Sequence, residues 1–245
     1  MAPSDYERAL VPLESAQGQA LAAALADALL PRMCAASEAF ESQQEGSWCG
    51  LAAICTALKA LASLEPNLLS ADAASALSQE CLFGIEQEAR RAPPSSRQLA
   101  AGLSLAEGEL LLADLGLPML RSRRQPADDP TFAETLAMDL SSTRNQIMLV
   151  NVLRQVGGVW TGHWMTCAAS VHSRGECWVL VLDPAAHKLG PHWLPEGMLL
   201  STMATRNVRG EARGYLVLSL EAGCAPATAP PPKSANSGTA EFTMV

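Results

Sequence analysis

Cys49 stands at the end of Gln43-Gln44-Glu45-Gly46-Ser47-Trp48-Cys49-Gly50, where a long apolar run begins and continues past Leu61. A cysteine that only packs belongs inside such a run, as Cys55 does. One at its start sits where a helix N-terminus lowers a thiol's pKa, through its dipole and its unpaired N–H groups. Gln43, six residues upstream, carries a side-chain amide suited to donating to an oxyanion formed beside the thiol. A buried and inert cysteine also fits this stretch taken alone. The choice turns on whether a base and an orienting group exist elsewhere in the chain.

The chain has four histidines, and His163 lies in Thr161-Gly162-His163-Trp164, after Gly157-Gly158 and at the head of a strand-like run. Asp183 closes a second such run, Glu176-Cys177-Trp178-Val179-Leu180-Val181-Leu182. With a hairpin turn centred on Ser173, His163 falls directly opposite Asp183. Cross-strand partners have Cβ atoms about 4.5–5.5 Å apart, close enough for a carboxylate to hold an imidazole. The chain order Cys, His, Asp is that of papain-like enzymes, in which the orienting residue follows the histidine.

These residues need a helix behind the thiol and a sheet beneath the imidazole. Ser15–Met33 reads as an Ala/Leu-rich helix broken at Pro31. The apolar positions Leu51, Ile54, Cys55, Leu58 and Leu61 mark one buried face of the next helix, which Pro66 closes. A third helical region runs from Leu68 to Phe83, with Ser70 or Asp72 as its cap. After an exposed break at 90–98, helix resumes at Ser104 and ends at Gly116 and Pro118; Arg121–Arg124 reads as a solvated loop. Then come short apolar runs at 146–153, 163–171, 176–183 and 214–220, the strands of an antiparallel sheet. The expectation is an α+β fold with helices first and sheet second.

At 245 residues, 49% hydrophobic and 17% charged, the chain is long enough for one ordinary domain with a substantial core. A net charge of −8 lacks the basic face of a nucleic-acid binder. No apolar run is long enough to suggest a membrane span. The first residues do not have the pattern of a secretory signal or a transit peptide. Seven cysteines, an odd number without CxxC pairs, read as reduced thiols of a cytoplasmic protein, and their scatter does not match a zinc site.

The stretches at 43–61, 157–170 and 179–195, with Arg213-Gly214 before the last strand, together resemble the phytochelatin synthases, a family of the papain clan. The resemblance spans roughly residues 37–220 and implies a papain-like fold. In it Cys49 is the nucleophile, His163 the general base and acid, Asp183 its orienter and Gln43 the oxyanion donor. It further implies that Arg154, Lys188 and Arg213 grip substrate carboxylates. Ala186 stands where the family usually carries an arginine. The chain divides into a helical segment packing on the domain (1–36), the phytochelatin synthase-like catalytic domain (37–222), and a disordered Pro/Ala/Ser-rich tail (223–245).

The activity the resemblance implies is transfer of γ-glutamylcysteine from glutathione, through a thioester, to build phytochelatins. Glutathione and its metal thiolates are the partners, with a cadmium or zinc ion as activator or as part of the substrate. No organic cofactor, nucleic acid or membrane is implied, the metal-binding residues are unassigned, and a homodimer is left open. Two alternatives stand beside it. One is a glutathione hydrolase on the same scaffold, and the other a non-catalytic protein that binds metals through its thiols.

Overall fold

The structure is a computed structural model and describes residues 4–66, 68–69, 76–89, 102–142 and 145–220. The expected tail, the exposed break at 90–98 and the cap at Ser70 or Asp72 lie outside those residues. The described helices are α1 (Asp5–Ala9), α2 (Ala16–Ala23), α3 (Leu30–Glu38), α4 (Cys49–Leu64), α5 (Gln79–Ala89), α6 (Leu105–Asp114), α7 (Phe132–Ser141) and α8 (Glu196–Met203). The strands are β1 (Val11–Pro12), β2 (Leu120–Pro126), β3 (Gln146–Val156), β4 (Val159–Ser173), β5 (Glu176–Leu182), β6 (His192–Pro195) and β7 (Gly214–Leu220). They form one antiparallel sheet in the order β1-β6-β5-β4-β3-β7-β2. The result is the expected α+β arrangement, with the Cys49 helix packed on the sheet that carries His163.

The sheet separates two cores because neighbouring strand residues point to opposite faces. Trp164 and Leu216 join Ile54 and Leu58 of α4 in one; Met165 and Tyr215 join Leu136 of α7 and Leu199 of α8 in the other. Helix α4 is more deeply placed than its one-sided pattern predicts. Nearly every residue from Cys49 to Leu61 is buried, including Ala52, Ala53, Ala57 and Ala60 on the side read as outer. A helix apolar all round is a central one, and the alanines let α3 and the sheet approach it together.

Two local expectations are corrected. Helix breaks before Pro31, at Ala24–Ala26, and Pro31 lies in the first turn of α3. There its missing N–H is one the helix would leave unpaired in any case. Arg121–Arg124 is not a loop but most of edge strand β2, with Arg123 paired to Asp139 and Arg124 to Glu109. Charged side chains along an edge strand keep a further strand from adding to it. No single helix among the described residues is long and apolar enough to cross a membrane.

The β4–β5 hairpin also differs from its expected register. Ser173 pairs with Glu176, so the turn is Arg174-Gly175, both at positive φ (53° and 82°) as a two-residue turn of this hand requires. A bulge at Ala168 then shifts the pairing, so that Cys167 faces Val181 and Thr166 faces Leu182. Continuing that register, Asp183 falls opposite Met165, two residues from His163 and on the same face. The pair is diagonal rather than directly opposed.

Gly214 is the residue in β7 where a side chain has no room. Its φ is +147°, and a Cβ there would lie 2.2 Å from the Gln125 carbonyl oxygen and 3.0 Å from Pro126 Cα. Gly214→Ala must therefore part β7 from β2. It is expected to destabilise the fold by about 2–4 kcal/mol, read as a lower urea midpoint at unchanged slope.

Candidate active site

Helix α4 begins at Cys49, with Trp48 as its N-cap stacked on Phe83 at 5.0 Å between ring centroids. Gly50 follows because the start of the helix is pressed against two side chains. A Cβ at Gly50 would lie 3.0 Å from Leu103 Cδ1 and 3.3 Å from the Trp164 indole, whose Nε1 donates to the Leu103 carbonyl at 2.8 Å. That contact sets the height of β4 against the helix. It sets His163, the residue before Trp164, in the same cleft as the Cys49 thiol, where the imidazole and the Trp164 backbone N–H both act on the thiol's ionisation.

His163 Nε2 donates to Asp183 Oδ1 at 2.7 Å, which turns Nδ1 to the thiol. Asp183 is fully buried, and Oδ1 also accepts from the Ala185 N–H at 2.9 Å and from Arg154 Nη2 at 3.2 Å. Its Oδ2 faces Arg154 Nη1 at 2.9 Å as an ion pair without an aligned hydrogen bond. Arg154 is itself buried and lies over the Tyr6 ring. Below this layer Tyr6 Oη meets His192 Nε2 at 3.1 Å, while His192 Nδ1 donates to the Gly190 carbonyl.

The electrostatics single out one thiol. Burial alone would raise the Cys49 pKa, but the hydrogen bond and charge of His163 and the Trp164 N–H outweigh it and hold the thiol below its ordinary value. Burial also works against protonating His163, and its bonds to Asp183 and Cys49 reverse that and raise its pKa. Burial would raise Asp183 too, yet His163 and Arg154 keep it a carboxylate below its usual range. By contrast, burial pushes Cys55, Cys167 and Cys177 up to about 12. The arrangement stabilises a thiolate beside an imidazolium, the reactive form of a cysteine nucleophile.

Cys49 and His163 line a cleft of about 320 Å³, at the small end of sites for small molecules, which run from about 300 to 1,000 Å³. Gln43 lines it as well, and its backbone N–H bonds to the Pro184 carbonyl, next to Asp183. Its side-chain nitrogen, however, donates to the Glu45 and Gly46 carbonyls at 2.9 and 3.0 Å, and its buried Oε1 has no partner. To hold an oxyanion the amide must leave one carbonyl of its own loop. The Cys49 backbone N–H, in the first turn of α4, is a donor that the helix itself leaves unpaired.

The three cations expected to grip substrate fall in different settings. Lys188 is exposed at the rim. Arg154 lines the cleft, but its charge is committed to Asp183. Arg213 is 6% exposed, and Nη1 donates to Asn151 Oδ1 while its buried Nε has no partner. Among the described residues no carboxylate pairs with it. Burial pulls its pKa down, and the Cys49 charge pulls it up. Gly162 makes this position accessible, since a Cβ there would lie 2.7 Å from Arg213 Nη2.

Sequence reasoning missed Asn151, although a lone amide inside the apolar run 146–153 was a visible signal. It also missed Arg209, which lines the cleft while bound through Nη1 and Nη2 to Glu107 at 2.8 and 2.6 Å. Nothing local marks that pair, whose members are 102 positions apart. Among the described residues no group of three or more His, Cys, Asp or Glu could hold a metal ion.

No curated protein matches the chain. Among solved structures, the crystal structure of the Pseudomonas avirulence protein AvrPphB is similar at 14% identity and a TM-score of 0.30, covering 82% of this chain and 97% of that one. The model of the phytochelatin synthase family matches residues 4–215, which include every residue of the cleft described above, and the chain belongs to that family.

Proposed function

We propose that the protein transfers the γ-glutamylcysteinyl unit of glutathione, with Cys49 as nucleophile. The observation that carries this reading is the juxtaposition of a buried thiol held low by His163 with the buried guanidinium of Arg213, which lacks a carboxylate partner among the described residues. A buried cation beside a nucleophile suits an anionic acyl donor, and a carboxylate supplies the compensation it lacks.

In the first half-reaction the Cys49 sulfur attacks the carbonyl carbon of the Cys–Gly bond. The oxyanion is held by the Cys49 N–H and, once its amide turns outward, by Gln43. His163 gives its proton to the glycine nitrogen as the C–N bond breaks, leaving γ-Glu-Cys as a thioester. In the second, the α-amine of another glutathione attacks the thioester, His163 takes its proton, and the chain is extended. Cadmium or zinc enters as the thiolate complex of glutathione, part of the substrate. The reaction belongs in the cytoplasm, where glutathione and the protein's free thiols stay reduced.

A second reading is hydrolysis of the same thioester by water. Ala186, exposed beside the cleft-lining Ala185 and His187, gives that stretch one cation fewer for holding an acceptor. Incubation with glutathione, with and without cadmium, followed by mass spectrometry separates the two. Products of the form (γ-Glu-Cys)n-Gly establish transfer, and γ-Glu-Cys with free glycine alone establishes hydrolysis. Absence of glycine release sinks both.

Arg213→Met keeps the volume of the side chain and removes its charge. It is expected to raise KM for glutathione about 10- to 100-fold, the equivalent of a hydrogen bond to a charged group of about 1.5–3 kcal/mol, with a smaller change in kcat. Unchanged KM would return Arg213 to a structural role on Asn151.

A further inference from the structure

Arg32 of α3 is 8% exposed and far along β4 from the cleft, yet it is a guanidinium inside the core. Its Nε donates to the Ala168 carbonyl and its Nη1 to the Ser142 carbonyl, both at 3.1 Å, and among the described residues no carboxylate pairs with it. Taking a guanidinium out of water is costly, and here its bonds are to backbone oxygens. One of these is special: Ala168 is the extra residue of the β4 bulge, which the β4–β5 pairing skips.

That bulge decides which face Asp183 occupies. Near the turn Ala169 pairs with Leu180, and beyond the bulge Cys167 pairs with Val181. If the register at the turn continued without the bulge, Asp183 would fall opposite Thr166. Thr166 points to the α4 side, where its hydroxyl donates to the Ala53 carbonyl. With the bulge, Asp183 falls opposite Met165, whose sulfur lies 3.6 Å from the Tyr6 hydroxyl on the other side, where Arg154 also lies. A shift of one residue exchanges the faces of a strand, so the triad exists only in the bulged phase.

We propose that Arg32 is a positioning residue for the catalytic centre, holding the bulged Ala168 carbonyl and with it the strand phase that brings Asp183 to His163. The inference rests on the reading of Cys49, His163 and Asp183 as a unit. It goes beyond that reading in assigning a role to a residue that touches none of them.

The test is the pH dependence of Cys49 alkylation by iodoacetamide, followed at the Cys49 peptide by mass spectrometry, on the full chain without glutathione. The charged groups that bear on His163 and Cys49 there are Asp183, Arg154, His192 and Arg213. Arg32→Met removes both donors, and Arg32→Lys keeps the charge but cannot reach two divergent carbonyls. Leu29→Ala, a buried truncation just before α3, controls for general loosening.

In Arg32→Met the alkylation midpoint is expected to rise by about one pH unit, about tenfold in thiolate below the midpoint. Arg32→Lys should move part of the way, and Leu29→Ala should keep the wild-type profile. Should Arg32→Met fail to fold, Arg32→Lys carries the test. An unchanged profile in either folded Arg32 variant, or an equal shift in Leu29→Ala, overturns the proposal. An ordinary thiol profile in the wild type would instead overturn the triad reading itself, so the two failures are distinguishable.

Discussion

If the proposed reaction holds, Cys49→Ala is expected to abolish glycine release from glutathione, with turnover falling about 10⁴-fold or more, to background, because the acyl intermediate forms on that thiol. The other described thiols offer no substitute. Cys55, Cys167 and Cys177 are pushed up to about 12 by burial, and Cys34 and Cys81 are exposed away from His163. The fold survives, since alanine loses only a small, half-polar group at the first turn of a helix held by Trp48, Leu103 and Trp164. Mass spectrometry of acid-quenched protein is the direct measurement, with a γ-Glu-Cys adduct expected on the wild type and none on the variant. A variant that kept its metal-linked function in full while losing the adduct would favour the thiol-binding alternative over the enzyme.

Asp183→Asn is expected to lower kcat about 10³- to 10⁴-fold while leaving KM nearly unchanged, because the carboxylate orients the imidazole and stabilises its charged form. The sign of its pH effect follows from the same contacts. The competent state is thiolate with imidazolium, present between the lowered pKa of Cys49 and the raised pKa of His163. Without the carboxylate the His163 pKa falls and the alkaline limb of the rate profile moves to lower pH. A weaker imidazolium then lets the Cys49 pKa rise, and the acid limb moves to higher pH. Asp183's own charge pushes Cys49 the opposite way, but it is the smallest of the influences on that thiol. The plateau should therefore narrow from both sides, and a profile that merely scaled down would contradict this reading.

The same substitution leaves Arg154 buried without its anion, a change that costs about 3–5 kcal/mol in stability. Urea denaturation measures it, and kinetics belong well below the variant's melting temperature. In the wild type, Asp183 contributes stability above the unfolded carboxylate pKa that is lost as pH falls through its depressed folded value. His163 contributes in the opposite sense, below its unfolded pKa, and that part is lost as pH rises through its raised folded value.

Much of this was legible in the amino-acid sequence, for a physical reason. The apolar run behind Cys49 and the short β-branched runs around His163 and Asp183 carry their periodicity in adjacent residues. Helix, strands and the α+β class follow from local pattern, and the family resemblance rests on contiguous motifs. The closeness of His163 and Asp183 was also readable, since a hairpin ties them together within twenty residues. Its register was not, because a bulge is an insertion relative to a partner strand and leaves no mark on the strand that contains it.

What only the tertiary structure decided depends on partners distant in the chain. Arg154 read as a substrate cation, and the fold commits it to Asp183, 29 positions away. Arg121–Arg124 read as a solvated loop, and pairing with β7 makes it an edge strand. Gln43 lines the same cleft as Cys49, but the donors it spends on its own loop depend on backbone geometry that residue types do not encode. Sequence determines which chemistry is available, because reactivity resides in residue types. Burial and register determine which of those residues are charged, paired or free, because both arise from contacts between segments that local pattern cannot see.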